Sequence, residues 1–309
     1  MHWPKISIVT PSYNQGQFLE ETIRSVITQN YPNLEYIITD GGSTDNSLEI
    51  IKKYEEHLAY WVSEKDKGQS HAINKGFAKA TGDIFAWLNS DDIYRFGVLH
   101  RVAEYWINNP DCHFLAGDGE IVNNSGYKLE YYIKACGYSF KELLYYHQGK
   151  YLAQPSIFFS KTAFIESNGL DENLKYAMDL DLWLRISQKY NLNYLGLCLS
   201  RLRHHVGSST YKNNEVAMKE IESVIKRYLN KTNISNRFLI KTGLRSLRAE
   251  AACRSGLEEY FHKNYDGAIN HLNKAIKLNP FTLFSRQGLK LTSRLFLPNP
   301  IKRHIFAKP

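Results

Sequence analysis

The feature that most narrows what this chain can fold into is an alternation in its first ninety residues. Four short apolar, β-branched runs, Ile6–Val9, Leu34–Thr39, Leu58–Val62 and Ile84–Leu88, are each separated from the next by a stretch with helical spacing. Phe18, Ile23, Val26 and Ile27 mark the first helix. Leu48, Ile51 and Tyr54 mark the second, with Ser47 as its candidate cap, and His71–Ala80, closed by Thr81-Gly82, is the third. Strands regained only after a helix need crossover connections, so the pattern predicts a parallel α/β sheet.

Beyond residue 110 the alternation loosens. Strand-like pieces at Phe114–Ala116, Glu130–Ile133, Ser156–Phe159 and Tyr194–Ser200 surround a strong helix at Met178–Gln188, and only helical patterns remain from about Glu215. We place the domain boundary near Asn230-Lys231-Thr232-Asn233, giving an α/β domain over 1–230 and a helical region over 231–309. Within the latter, Ala268, Leu272, Ala275 and Pro280 match the second half of one tetratricopeptide unit. Solenoids need about three or more such units, so a single helical hairpin is expected.

Composition excludes several classes. With 43% hydrophobic and 23% charged residues the chain is too apolar for disorder. No apolar run approaches the ~20 residues of a membrane-spanning helix, and Met1–Lys5 leads into the first strand without a signal-peptide core. Cys112, Cys136, Cys198 and Cys253 are scattered, with no C-x-x-C pair. That speaks against a zinc cluster or disulfide framework and predicts a cytoplasmic protein. The net charge of +8 is local: nothing after Asp266 is acidic, and the tail holds eight cations, which leaves 31 basic against 31 acidic residues before it. An anionic partner is thus expected for the tail only. No nucleic-acid-reading motif accompanies it, so a nucleic-acid partner is not expected.

In an open α/β sheet, ligands sit beyond the carboxyl ends of the strands. Three breaker-rich segments fall there, Thr10-Pro11-Ser12-Tyr13-Asn14, Asp40-Gly41-Gly42-Ser43-Thr44-Asp45 and Asn89-Ser90-Asp91-Asp92. Singly each reads as a turn; together they predict a nucleotide-binding cleft. Adjacent carboxylates after a buried strand repel unless a cation neutralises them, and Mg²⁺ or Mn²⁺ is held in this way with substrate phosphates. Asp91 is the candidate ligand. Asp92 is also placed to cap the helix around Val98–Trp106.

The runs "ISIVTPSYNQGQFLEETIRSVITQNYPNLEYIITDGGSTDNSLEII" and "EKDKGQSHAINKGFAKATGDIFAWLNSDD" resemble glycosyltransferase family 2, inverting enzymes with a GT-A nucleotide-diphospho-sugar transferase fold. The resemblance covers roughly residues 5–210. It implies that Pro11 and Tyr13 line the nucleotide base and that Asp40 contacts it. Asn89-Ser90-Asp91 falls on the D-x-D motif, with Ser90 beside the donor and Asp91 on the metal. Two positions depart from the family pattern: Gly41 stands where a second acid is common, and Asn89 replaces the first acid of D-x-D. Lys67 in "DKGQSH" reads either as a nucleotide contact or as a solvated turn lysine.

The segments "QPSIFFSKTAF" and "LDENLKYAMDLDLWLRI" resemble the family's acceptor half, and the resemblance puts the catalytic base on Asp179. Helical spacing adds that Asp179, Trp183 and Ile186 share a face expected to pack inward, while Asp181, Arg185 and Gln188 form another, polar face where Asp181 and Arg185 can make an i, i+4 ion pair. Asp179 also reads as an N-terminal charge favoured by the helix dipole. His204-His205 with Gly207-Ser208-Ser209 resembles the closing loop, which makes His205 a second candidate metal ligand or a surface histidine. In the tail, Arg286, Lys290 and Arg294 line one helix face and Phe284, Leu291 and Leu295 another. Lys302, Arg303, Ile305 and Phe306 follow Pro298-Asn299-Pro300. Such faces suit an anionic membrane surface, or the apolar set packs against the protein.

The expected activity is metal-dependent inverting transfer of a hexosyl or N-acetylhexosaminyl group from a nucleotide-diphosphate sugar, a UDP-sugar above all. The acceptor would be a glycan or lipid-linked hydroxyl in surface polysaccharide biosynthesis. A non-catalytic nucleotide-sugar-binding scaffold that recruits partners through its helical tail is the alternative.

Overall fold

A computed structural model describes residues 3–150, 152–205 and 214–296. The strands predicted from the first alternation form at β1 (Ile6–Ser12), β2 (Leu34–Asp40), β3 (Tyr60–Ser63) and β4 (Ile84–Trp87). They are joined through α1 (Gly16–Ile27), α2 (Ser47–Lys53) and α3 (Gln69–Phe77). The four strands run parallel in the order β3-β2-β1-β4, so their carboxyl ends share one edge. Apolar side chains on successive residues of β1 and β4 are buried, as expected of strands covered on both faces. Gly76 lets α3 lie against β1: a Cβ there would stand 2.5 Å from Val9 Cγ1.

The sheet continues with β5 (Ile93–Tyr94), β6 (Phe114–Val122), β7 (Lys128–Ile133), β8 (Ile157–Ser160) and β9 (Asn193–Arg203). Between them lie α4 (Val98–Asn108), α5 (Phe140–Leu143), α6 (Lys161–Glu166) and α7 (Met178–Ile186). The order extends as β4-β8-β6-β9-β5, with β7 paired to β6. β8 is antiparallel to both β4 and β6, whereas β6 and β9 run parallel, so the sheet is mixed. β5 escapes sequence reading because two residues show no periodicity; it exists only through its pairing with β9.

Contacts divide the chain into Met1–Leu143 with Lys150–Val206 and a second unit of Leu144–Gly149 with Gly207–Pro309. The boundary expected near residue 230 therefore lies earlier. The reason is α8 (Asn214–Lys226), which packs on α9 (Ile234–Phe261) and pairs through Glu222 with Arg248 at 2.6 Å. The expected hairpin is formed by α9 and α10 (Tyr265–Leu278), and α11 (Arg286–Phe296) completes its core. Ala268, Leu272 and Ala275 are buried there against Ala249, Ala252, Cys253 and Leu291. No helix among the described residues is long and apolar enough to cross a membrane.

Candidate active site

The loops after β1 and β2 lock together at the sheet edge. Asn14, in the left-handed region at φ 51°, donates its amide to Ser43 Oγ and accepts from the Thr44 amide through Oδ1, both at 2.8 Å. Asp45 accepts from the amides of Gly16 and Ser47, fixing the starts of α1 and α2. Ser47 is thus the first helical residue and not a cap. Tyr13 projects from this platform with its side chain 61% exposed, while Pro11 is buried in β1 beside Thr39. Lys67 is exposed in the turn before α3.

Asp40 stands at the same edge but is committed to its own loop. It is fully buried; Oδ2 accepts from the amides of Gly42 and Ser43 and from Ser63 Oγ, and Oδ1 accepts from Ser43 Oγ at 2.5 Å. Four donors thus engage the carboxylate and no part of it is exposed. Asp40 shapes the edge from within and does not reach out to a base.

The turn after β4 is held from several sides. Thr22 Oγ1 lies within hydrogen-bonding distance of the carbonyls of Ser90 and Asp92, at 3.0 and 2.8 Å, and Ser90 is buried beneath. Asn89 accepts from Gln69 Nε2 at 2.7 Å and donates to Gln154 Oε1 at 3.1 Å, while Gln154 donates to the Trp87 carbonyl. Asn89 is therefore a tie between α3 and the segment before β8. Asp92 accepts from the Arg203 amide at 3.0 Å and from Asn89, and it does not cap α4, whose N-cap is Gly97. Burial and the neighbouring Asp91 carboxylate push Asp92 well above the usual carboxylate range. Asp91 is the member of the pair left at the surface of the turn, and its Oδ2 lies 2.9 Å from His205 Nε2. With Asp91 ionised, the imidazole is the donor.

Arg203, which sequence reading missed, organises this corner. Its side chain is 2% exposed and its guanidinium donates to the Asp91 carbonyl at 3.0 Å, the Asn124 carbonyl and Glu21 Oε2. It also lies over the Phe18 ring at 4.8 Å, and the same ring packs on His205. Arg203 ends β9, which lies between β6 and β5, and nothing in the local run Arg201-Leu202-Arg203 marks it as the buried arginine. Gly207, Ser208 and Ser209 lie outside the described residues.

Asp91 and His205 test the fit of a divalent ion. Among the described residues no three His, Cys, Asp or Glu side chains could together hold a metal. Mg²⁺ and Mn²⁺ do not require a full protein cage, because one or two protein groups plus substrate phosphates are the usual set. A carboxylate oxygen and an imidazole nitrogen at one sheet edge fit that shared arrangement.

Asp179 is partly exposed in the first turn of α7, and its Oδ1 accepts from the Leu180 amide at 2.7 Å. α7 is fixed to the sheet edge through Trp183, stacked on Trp87 with centroids 5.2 Å apart, and through Met178, whose sulfur meets Ser70 Oγ of α3. Asp181 and Arg185 form the expected i, i+4 ion pair, but not on an open polar face. Asp181 is 1% exposed, its carboxylate meets Arg185 at 2.7 Å, and Arg185 also donates to the carbonyls of Ser167 and Gly169. α7 is covered on nearly every side, so its helical wheel does not separate an inner from an outer face.

With this geometry in place, the comparisons are specific. The profile of glycosyl transferase family 2 matches residues 7–167. An uncharacterised glycosyltransferase of Rickettsia typhi is 28% identical over 88% of this chain and 86% of its own length. A Bacillus subtilis glycosyltransferase whose name, TuaG, refers it to teichuronic acid biosynthesis is 29% identical over 65% of this chain and 79% of its own. Among solved structures, Staphylococcus aureus TarS aligns with a TM-score of 0.57 at 18% identity, covering 89% of this chain, which spans about half of TarS (49%). The mannosyltransferase PcManGT of Pyrobaculum calidifontis, solved with GDP-Man and Mn²⁺, aligns with a TM-score of 0.58 at 15% identity, covering all of this chain (100%) and 89% of its own.

The buried pair on α7 gives a stability prediction. Asp181→Asn leaves Arg185 charged without its carboxylate, at a cost of about 2–4 kcal/mol once the partial exposure of Arg185 is allowed for. Urea denaturation measures it, and a change below about 0.5 kcal/mol would place the pair with ordinary surface substitutions.

Proposed function

We propose a reaction for this chain, which belongs to glycosyl transferase family 2 and has the GT-A fold: transfer of a sugar from a nucleotide diphosphate to an acceptor hydroxyl, with inversion, aided by Mg²⁺ or Mn²⁺. The observation that carries the reading is the Asp91–His205 pair at the carboxyl edge of the parallel strands. The family and the named role of TuaG support a glycan or lipid-linked acceptor in polysaccharide synthesis. Nucleotide-sugar complexes of TarS and PcManGT support the donor class.

In this reading Asp91 and His205 supply one oxygen and one nitrogen donor toward the donor diphosphate. These two residues would hold a divalent ion, which when bound would supply positive charge to offset that on the departing diphosphate. Tyr13 offers an exposed ring to the base. Asp179 accepts the proton of the acceptor hydroxyl as that oxygen bonds to the anomeric carbon and the bond from that carbon to the diphosphate oxygen breaks. One displacement needs no covalent nucleophile, and the Trp87–Trp183 stack keeps the base in register with the edge.

The C-terminal unit supports a membrane partner, though with only some of the residues first expected. Leu291 is buried and Leu295 packs against the hairpin core, so neither faces out. Arg294 lies over the Phe261 ring at 4.4 Å. Of the expected apolar face only Phe284 (78% exposed) remains outward, joined by Phe281 (77%), Leu289 and Phe296, beside the expected cations Arg286 and Lys290. Exposed aromatics among cations, in a segment without acids, suit an anionic lipid surface, each cation adding about 1 kcal/mol near it. Lys302, Arg303, Ile305 and Phe306 lie outside the described residues.

Two experiments test these readings. Asp91→Ala should abolish transfer and metal-dependent nucleotide binding without unfolding the chain, and Asp179→Asn should lower turnover by ~10²-fold or more at nearly unchanged donor affinity. Activity that survives Asp91→Ala or excess EDTA rules the metal reading out. For the tail, the full chain should sediment with phosphatidylserine-containing vesicles, less so at high salt, and the Phe281→Ser/Phe284→Ser double variant should not. Equal sedimentation of both proteins would reduce this surface to a solvated cap.

A further inference from the structure

The space beside Gly41 is filled from the turn after β3. Gly41 is not among the glycines with positive φ, so its backbone does not demand glycine. What excludes a side chain is crowding: a Cβ on Gly41 would stand 2.6 Å from Asp66 Oδ2 and 3.1 Å from Asp66 Cγ. The same point lies 3.3 Å from Tyr13 Cδ2. The Asp66 carboxylate, carried on the turn after β3, thus occupies the space that a side chain at 41 would fill, next to the exposed Tyr13 ring.

Asp66 uses only half of its capacity locally. Oδ1 accepts from the Gly68 amide at 2.8 Å, which holds the turn, and no partner is recorded for Oδ2 among the described residues. Asp40, the acid expected to read the base, is fully buried and engaged by four donors from its own loop and from Ser63 of β3. An aromatic face and an open carboxylate oxygen at the edge of β1, β2 and β3 make a platform for a planar heterocycle with a ring N–H.

We propose that Asp66 is the base-reading residue of this chain, with Oδ2 accepting the ring N–H of the donor nucleobase while the base lies on Tyr13. The inference rests on the nucleotide-sugar reading above and adds to it a rule. Uracil N3–H and guanine N1–H are donors and satisfy the carboxylate. Cytosine N3 and adenine N1 are acceptors and face it with lone pairs, leaving both groups unpaired, so uridine or guanosine diphosphates bind more tightly than cytidine or adenosine diphosphates.

Calorimetric titration of the full chain with UDP, GDP, CDP and ADP in the presence of Mn²⁺ tests the rule without an acceptor. UDP or GDP should bind at least about 10-fold more tightly than CDP or ADP. Methylating the ring nitrogen of the tighter one (N3-methyl-UDP or N1-methyl-GDP) should remove that advantage. Asp66→Ala should weaken the tighter nucleotide by about 10- to 100-fold, the worth of a hydrogen bond to a charged group, and leave CDP unchanged. Asp66→Asn keeps an acceptor for the Gly68 amide and turns an N–H₂ donor toward the base. It should therefore narrow or reverse the gap to CDP, a change in ratio that a merely structural role would not produce. Gly41→Asp should clash in the wild type and be tolerated with Asp66→Gly. Wild-type affinity in Asp66→Ala, or equal binding of the N-methylated nucleotide, overturns the assignment and leaves the nucleotide-sugar reading standing; no binding of any nucleotide diphosphate overturns both.

Discussion

Two adjacent carboxylates at the end of a buried strand cannot both keep their charge without help, and Arg203 resolves that conflict. Its backbone amide holds Asp92, its guanidinium holds the Asp91 carbonyl, and its charge is answered by Glu21 and the Phe18 ring. A guanidinium this buried is tolerated because its donors are met by fixed acceptors. Burial and the Asp91 carboxylate push Asp92 well above the ordinary carboxylate range against the opposing pull of Arg203, so Asp92 belongs to the scaffold and Asp91 is left facing His205. Everything assigned to the metal edge depends on that division.

The second carboxylate is positioned by packing. The Trp87–Trp183 stack joins the strand that leads to Asp91 with the helix that begins at Asp179, and Ser70 fixes the start of that helix from α3. The buried Asp181–Arg185 pair then ties α7 to the carbonyls of Ser167 and Gly169. A rigid helix placed in this way carries a partly exposed acid, which is the exposure an acceptor hydroxyl requires.

The parallel half of the fold was legible because each of its strands is a continuous apolar run followed by its own helix, a signal carried entirely by neighbours in sequence. The three loop motifs were legible for the same reason. What was not legible depends on partners far along the chain. β5 exists through β9, Arg203 acts on residues more than a hundred positions away, and Asp40 looked available until Ser63 was seen to complete its hydrogen bonds. The burial of Asp181 was not legible because a helical wheel assumes one dry face, and every residue of α7 but Asp179 and Arg185 is buried. Leu291 and Leu295 were offered to a membrane by the same assumption, and they instead complete the hairpin core. The early start of the helical unit at α8 likewise rests on a buried ion pair with Arg248 that no composition shift announces.

The central claim is that this edge binds a divalent ion only together with a nucleotide diphosphate, because the protein offers one carboxylate and one imidazole and leaves the remaining positions to phosphate oxygens. The free Mn²⁺ electron paramagnetic resonance signal reads this directly. The account predicts that the wild-type protein alone barely diminishes the signal. Protein plus UDP or GDP should quench it well beyond the nucleotide by itself. Strong quenching by protein without nucleotide, or none beyond the nucleotide alone, would contradict it.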